Sequence, residues 1–127
     1  MLDIGHIDTS IYGQIVSRIR SSRLVLTEKS KHHIIERRGE SFFNLYSPYF
    51  KLVAEEPDYL FKDKNHSNSV LACKTIHENG KHIHLVIRLA VEGDEEGYEN
   101  SIITAIIEND RRYQQRLRNN IPVYKKA

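Results

Sequence analysis

The sequence predicts an α+β fold: N-terminal helices packed on a roughly four-stranded antiparallel sheet, with a C-terminal helix. Three observations carry that expectation. Apolar residues recur at helical spacing up to about residue 55. The pattern changes to strand-like alternation from Tyr59 onward. Asn79-Gly80 then sits between two such runs, where a hairpin turn belongs. Helices first and strands afterwards is the order of a segregated α+β protein, not of an alternating parallel fold.

Residues 9–20 place Ile11, Ile15, Val16 and Ile19 at helical spacing, with Asp8 or Thr9 as the N-cap. Leu24-Val25-Leu26 is short enough to be a brief strand and no more. Thr27 caps the next helix, and Glu28 in its first turn complements the helix dipole. That helix runs to Arg38, and Gly39 stops it. Residues 41–55 read as helical with a break, Ser47 being a fresh cap and Pro48 the first helical position. Phe50, Leu52 and Val53 would form its buried stripe, and Pro57-Asp58 ends it.

Residues 59–61, 69–76, 82–91 and 101–108 follow as strands, and residues 63–68 are turn-like. Asn109 or Asp110 caps a last helix to about Asn119, and Pro122 closes it. A two-residue turn at Asn79-Gly80 sets His84 and Arg88 opposite Thr75 and Leu71, whereas a three-residue loop sets Lys74 opposite His84. Either way His82, His84 and Arg88 share one strand face, and Ile83, Leu85, Ile87 and Leu89 share the other. One oily and one polar face imply a core on one side and a groove on the other.

A chain of 127 residues fits one domain, with residues 1–23 as a helical arm and 24–119 as the core. No apolar run is long enough to cross a bilayer, and the N-terminus has no secretory pattern. The single Cys73 excludes an internal disulfide framework, so a cytoplasmic setting is expected. Charge is unevenly spread. Residues 109–127 carry Arg111, Arg112, Arg116, Arg118, Lys125 and Lys126 against Asp110 alone, which suits phosphate binding or a solvated helix face. Glu92, Asp94, Glu95, Glu96 and Glu99 make the loop before the last strand acidic.

Chemistry concentrates at residues 33–38. Residues three and four apart share a helix face, so His33, Glu36 and Arg37 project together, with Arg38 beside them. An imidazole that titrates near neutrality, a carboxylate and guanidinium forks suit metal-independent cleavage of a phosphodiester beside a ribose 2′-hydroxyl. No cofactor or metal is expected, since the chain has no motif-spaced ligand set.

The helix motif His33-x-x-x-Arg37-Arg38 is followed in order by Glu56-Pro57-Asp58-Tyr59, Asn68-Ser69-Val70 and Asn100-Ser101-Ile102-Ile103-Thr104-Ala105. Together these resemble the phage-associated nucleases of the barnase–EndoU–colicin E5/D–RelE superfamily, over about residues 24–112. The resemblance implies RNA as substrate, with tRNA one form of it. It implies His33 as general acid or base, Arg37 as the basic residue one turn on, and Thr104 and Ser101 orienting phosphate or ribose. Beside these, the helix chemistry itself makes Glu36 an assistant to His33 and sets Arg37 and Arg38 on the phosphorane. Lys74, His84 and Arg88 are the eligible central-strand contributors, and Arg111 and Arg112 would draw in the RNA backbone. An acidic immunity or antitoxin protein is the implied partner. Arg38 stands where such domains often carry a second His. The alternative is therefore an inactive nuclease scaffold that binds nucleic acid or a host protein.

Overall fold

The computed structural model describes residues 1–76 and 80–127. Its order is β1 (Leu2–His6), α1 (Thr9–Tyr12), β2 (Arg23–Leu26), α2 (Glu28–Arg38), α3 (Glu40–Tyr46), a 3-10 turn (Ser47–Tyr49) and α4 (Phe50–Glu55). Then come β3 (Tyr59–Lys62), β4 (Ser69–Ile76), β5 (Lys81–Arg88), β6 (Asn100–Glu108), α5 (Asp110–Asn119) and β7 (Tyr124–Lys125). The strands form one mixed sheet in the order β1-β2-β6-β5-β4-β3-β7.

The α+β class holds, but the expected four-stranded antiparallel sheet does not: among the described residues the sheet is mixed and has seven strands. The antiparallel run β3-β4-β5-β6 lies inside it. β2 extends that run by pairing parallel to β6, Leu24 beside Asn100 and Val25 beside Ser101. Leu24, Val25 and Leu26 are all buried, because an interior strand covered on both faces needs no polar alternation. The arm is also not mainly helical. β1 pairs antiparallel with β2 through a bulge between Asp3 and Gly5. Gly5 has φ 149°, and the Glu55 carboxylate occupies the space a Cβ would take, so it can accept from His6 N at 2.9 Å.

The helix expected over residues 9–20 ends at Tyr12. Asp8 caps it by accepting from Ser10 N and Ile11 N, and Arg18 then turns the chain at φ 62° so that Ile19 bridges Val91. Tyr12 and Val16 remain buried, so the apolar spacing reports a plug of turns rather than a helix. α2 matches expectation at both ends: Thr27 Oγ1 accepts from Ser30 N at 3.1 Å, and Gly39 terminates it at φ 97°. In the next segment the break is a 3-10 turn led by Ser47 and Pro48, without a side-chain cap. Phe50, Val53 and Ala54 are buried there, whereas Leu52 is exposed.

The β4–β5 register differs from both expected forms. Ile76 pairs with Lys81, Cys73 with His84, Lys74 with Ile83 and Ser69 with Arg88. The strands are displaced by two residues from the two-residue-turn register, and a shift of two preserves which face each side chain occupies. Glu78 and Asn79 of the expected turn lie outside the described residues.

Helices and turns from the first half cover one sheet face, burying Ile34, Phe43, Phe50 and Val53 against Ile83, Leu85, Ile87 and Ile102. The opposite face carries α5, whose Tyr113 packs with Phe61 and Cys73. Among the described residues no helix is long and apolar enough to cross a membrane.

Candidate functional site

The face that carries α5 is closed at one end and open at the other. At the closed end, Tyr113 stacks on His82 with ring centroids 3.9 Å apart and meets His84 edge-on at 5.6 Å. His82 Nδ1 lies 2.9 Å from Thr75 Oγ1 and its Nε2 lies 3.2 Å from Asp110 Oδ1. His84 is fully buried, with Nδ1 3.0 Å from Cys73 Sγ. Its Nε2 approaches Glu108 Oε1 to 2.7 Å without hydrogen-bond geometry.

Burial pushes the His84 imidazole down from 6.5 to about 4; the Glu108 carboxylate opposes that shift, and the Arg116 and His82 charges add to it. The ring is therefore neutral at physiological pH. Burial also holds the Cys73 thiol far above its ordinary value, so Cys73 and His84 are a thiol–imidazole pair and not an activated nucleophile. A neutral ring accepting at Nδ1 from the thiol carries its proton on Nε2, toward Glu108, a tautomer assigned from its partners.

Glu108 in turn fixes Arg116. The guanidinium donates from Nε to Oε1 at 3.0 Å and from Nη2 to Oε2 at 2.9 Å. This two-pronged pairing depresses the Glu108 pKa and raises that of Arg116.

Beyond Arg116 the face opens into a groove of about 770 Å³. Phe61, Leu71 and Val86 give it an apolar floor, and Lys62, Lys64, His66, Arg88, Thr104 and Arg116 line it with donors and cations. Loop residues 63–67 form one rim, where Asp63 Oδ2 lies 3.3 Å from His66 Nδ1. Thr104 reaches the groove because it pairs with Val86, on the α5 side of β5; the bulge follows, where Ile87 faces Ile102.

Arg88 is held as firmly as Arg116. Nη2 donates to Asp94 Oδ1 at 3.0 Å, Nη1 donates to Asp94 Oδ2 at 3.3 Å and to the Leu89 carbonyl, and the guanidinium lies over the Tyr98 ring. Asp94 also accepts from Val91 N at 2.8 Å, and this bond, ahead of Arg88, keeps its carboxyl below the usual range. Arg20 closes the same loop by donating to the carbonyls of Asp94, Glu95 and Tyr98.

The structure does not assemble the expected catalytic set. His33, Glu36, Arg37 and Arg38 are exposed on α2, whose Ile34 is buried in the core on the helix-covered face. Thr104 and Ser101 project from the opposite face, so the sheet separates them from His33. Glu36 has His32 as its neighbour, at 3.8 Å, in place of His33. Ser101 is buried between Val25 and Arg88.

Of Lys74, His84 and Arg88, Arg88 reaches the groove and the other two do not. His84 lies beneath α5, and Lys74 lies on the other face, donating to the Glu56 carbonyl at 2.7 Å and Asp58 Oδ1 at 3.3 Å. Arg111 and Arg112 are exposed in the first turn of α5. Two other quoted motifs have architectural roles. Asp58 Oδ2 accepts from Thr75 N, and Asn100 bonds Ala90 N, Ser21 O and Arg23 O. Lys62, Lys64 and His66 are groove residues the sequence did not single out; Arg116 was counted only among the basic residues of 109–127, and its partner Glu108 was not identified. The alternation along β6 could have put Glu108 on the Thr104 face, but only the packing of α5 brings Arg116 to it.

No family model, characterised protein or solved structure matches the chain at a significant level.

Proposed function

We propose that this chain binds RNA through the groove beside α5. One observation carries the reading: Lys64, Arg88, Arg116 and the Thr104 hydroxyl line one open cleft with an apolar floor. Cations and hydroxyls recognise phosphodiester oxygens, and an apolar floor suits the face of a base. Exposed Arg111, Arg112 and Arg118 extend the positive surface along α5, where they would attract RNA or an acidic inhibitor protein. A cytoplasmic setting fits both the ligand and the buried free thiol.

Cleavage is the second reading, and the rim pair His66–Asp63 favours it. An accessible imidazole beside a carboxylate, on the rim of a cation-lined groove, is equipped to remove a 2′-hydroxyl proton without metal. Fluorescence anisotropy with a labelled RNA in EDTA, stepped through salt, tests both readings. Binding should weaken linearly on a log–log plot, with a slope of about −3 for four or five neutralised phosphates. No binding at low salt overturns the proposal. A gel of the same samples reads cleavage, which His66→Ala should abolish; intact RNA with the unmodified chain retires the second reading.

A further inference from the structure

The groove has two arginines, and each is gripped by a carboxylate. Arg88 has both terminal nitrogens on Asp94 with Tyr98 beneath it, and Arg116 has two of its nitrogens on Glu108. The two grips come from different elements: Asp94 from the β5–β6 loop, and Glu108 from the end of β6. Both arginines nonetheless line the same cleft.

A guanidinium carries five N–H donors in a rigid fork. At Arg116, Nε and Nη2 are engaged by Glu108, which leaves Nη1 and a second Nη2 proton for a ligand. At Arg88 the carboxylate and the Leu89 carbonyl take the terminal nitrogens on one side, and Nε remains. A carboxylate on each cation also cancels much of its long-range attraction. What the arrangement retains is direction, because a held fork loses little side-chain entropy when an anion arrives.

We infer that Arg88 and Arg116 form a two-point clamp for the phosphates of a bound oligonucleotide, with Asp94 and Glu108 as its positioning residues. The clamp rests on the RNA-binding reading and adds which groups grip the backbone and what aims them. The two grips lie at opposite ends of β5: Glu108 pairs with His82, whereas Arg88 is the last residue of the strand. Grips so placed suit a ligand longer than one mononucleotide.

Bulk charge and positioning predict opposite signs for one substitution. Asp94→Asn and Glu108→Gln each remove a negative charge beside the groove. Attraction by charge alone would tighten RNA binding, whereas loss of aim weakens it. The side-chain amide oxygen of the Asp94→Asn variant still accepts from Val91 N, so the loop keeps its closure.

The experiment is anisotropy of a labelled RNA decamer at fixed salt with the full chain, Asp94→Asn, Glu108→Gln, Arg88→Lys and Arg116→Lys, with folding of each followed by circular dichroism. Each variant should bind about 3- to 10-fold more weakly, the lysine variants despite unchanged charge. A mononucleotide should compete poorly with the decamer. Tighter or unchanged binding by Asp94→Asn and Glu108→Gln, with the full chain binding well, overturns the clamp and leaves RNA binding standing. Failure of the full chain to bind overturns the RNA reading itself. If Glu108→Gln proves unfolded, Asp94→Asn and Arg88→Lys decide the matter from the other side of the groove.

Discussion

His84 makes stability fall on mild acidification, and the size of the effect follows from its burial. A histidine whose folded pKa lies below its unfolded value binds more protons when unfolded, so stability rises with pH between the two values. For His84 those values are about 4 and 6.5. Near neutrality both states are deprotonated and nothing is lost. At pH 5 the unfolded imidazole is almost wholly protonated and the folded one is not, which costs about 2 kcal/mol; at pH 4 the cost reaches about 3 kcal/mol. The side chain is fully buried, so the protonated ring would gain little from bulk water.

The comparison is the unmodified chain against His84→Leu, unfolded by urea at pH 7 and pH 5. Leucine fills similar space and cannot titrate, while Glu108 keeps Arg116. Groups that do not touch residue 84 are common to both proteins and cancel. Between pH 7 and pH 5 the unmodified chain should lose about 2 kcal/mol more than the variant, or about 7 °C in Tm for a chain of this size. Equal losses would refute the reasoning, because a histidine reached by water carries no such penalty.

Two further outcomes follow from buried groups. Cys73 should react with a thiol reagent only as the protein opens, so its native labelling rate should rise steeply with denaturant; rapid labelling without denaturant contradicts its burial. Tyr12→Phe should lower stability by about 1–2 kcal/mol in urea titration, since the hydroxyl donates to the buried Ala54 carbonyl at 2.7 Å and phenylalanine leaves that acceptor unpaired.

What the sequence revealed was local. Thr27 and Gly39 delimit α2 because a cap is a contact between residues a few positions apart. Asn109 likewise starts α5, accepting from Arg112 N at 2.9 Å. The division of β5 into an oily and a polar face also survives, although its register does not, because faces depend on parity and register depends on the loop. β1 and β2 were not legible as sheet members. Their partners are non-local, and burial on both faces removes the alternation from β2. The groove was hidden for a related reason: its cations lie on β5, α5 and the loop of residues 63–67, and its two arginines come from different segments.

The compact motif at residues 33–38 shows why proximity in sequence is a weak guide to a site. His33, Glu36 and Arg37 are neighbours on α2, but the apolar residue among them settles where the helix goes. Ile34 is fully buried in the core between helices and sheet, so the polar side of α2 faces away from the sheet. Rotating α2 to aim His33 inward would expose Ile34, at a cost of about 2–3 kcal/mol, and His33 would then meet the oily side of β6 rather than Thr104. The two faces of a strand point apart, and residues destined for a common cleft must share one. Thr104, Glu108 and Arg88 meet that condition through the parity of β6 and β5; Arg116 meets it because Tyr113, three residues earlier on α5, is the anchor buried on the same face.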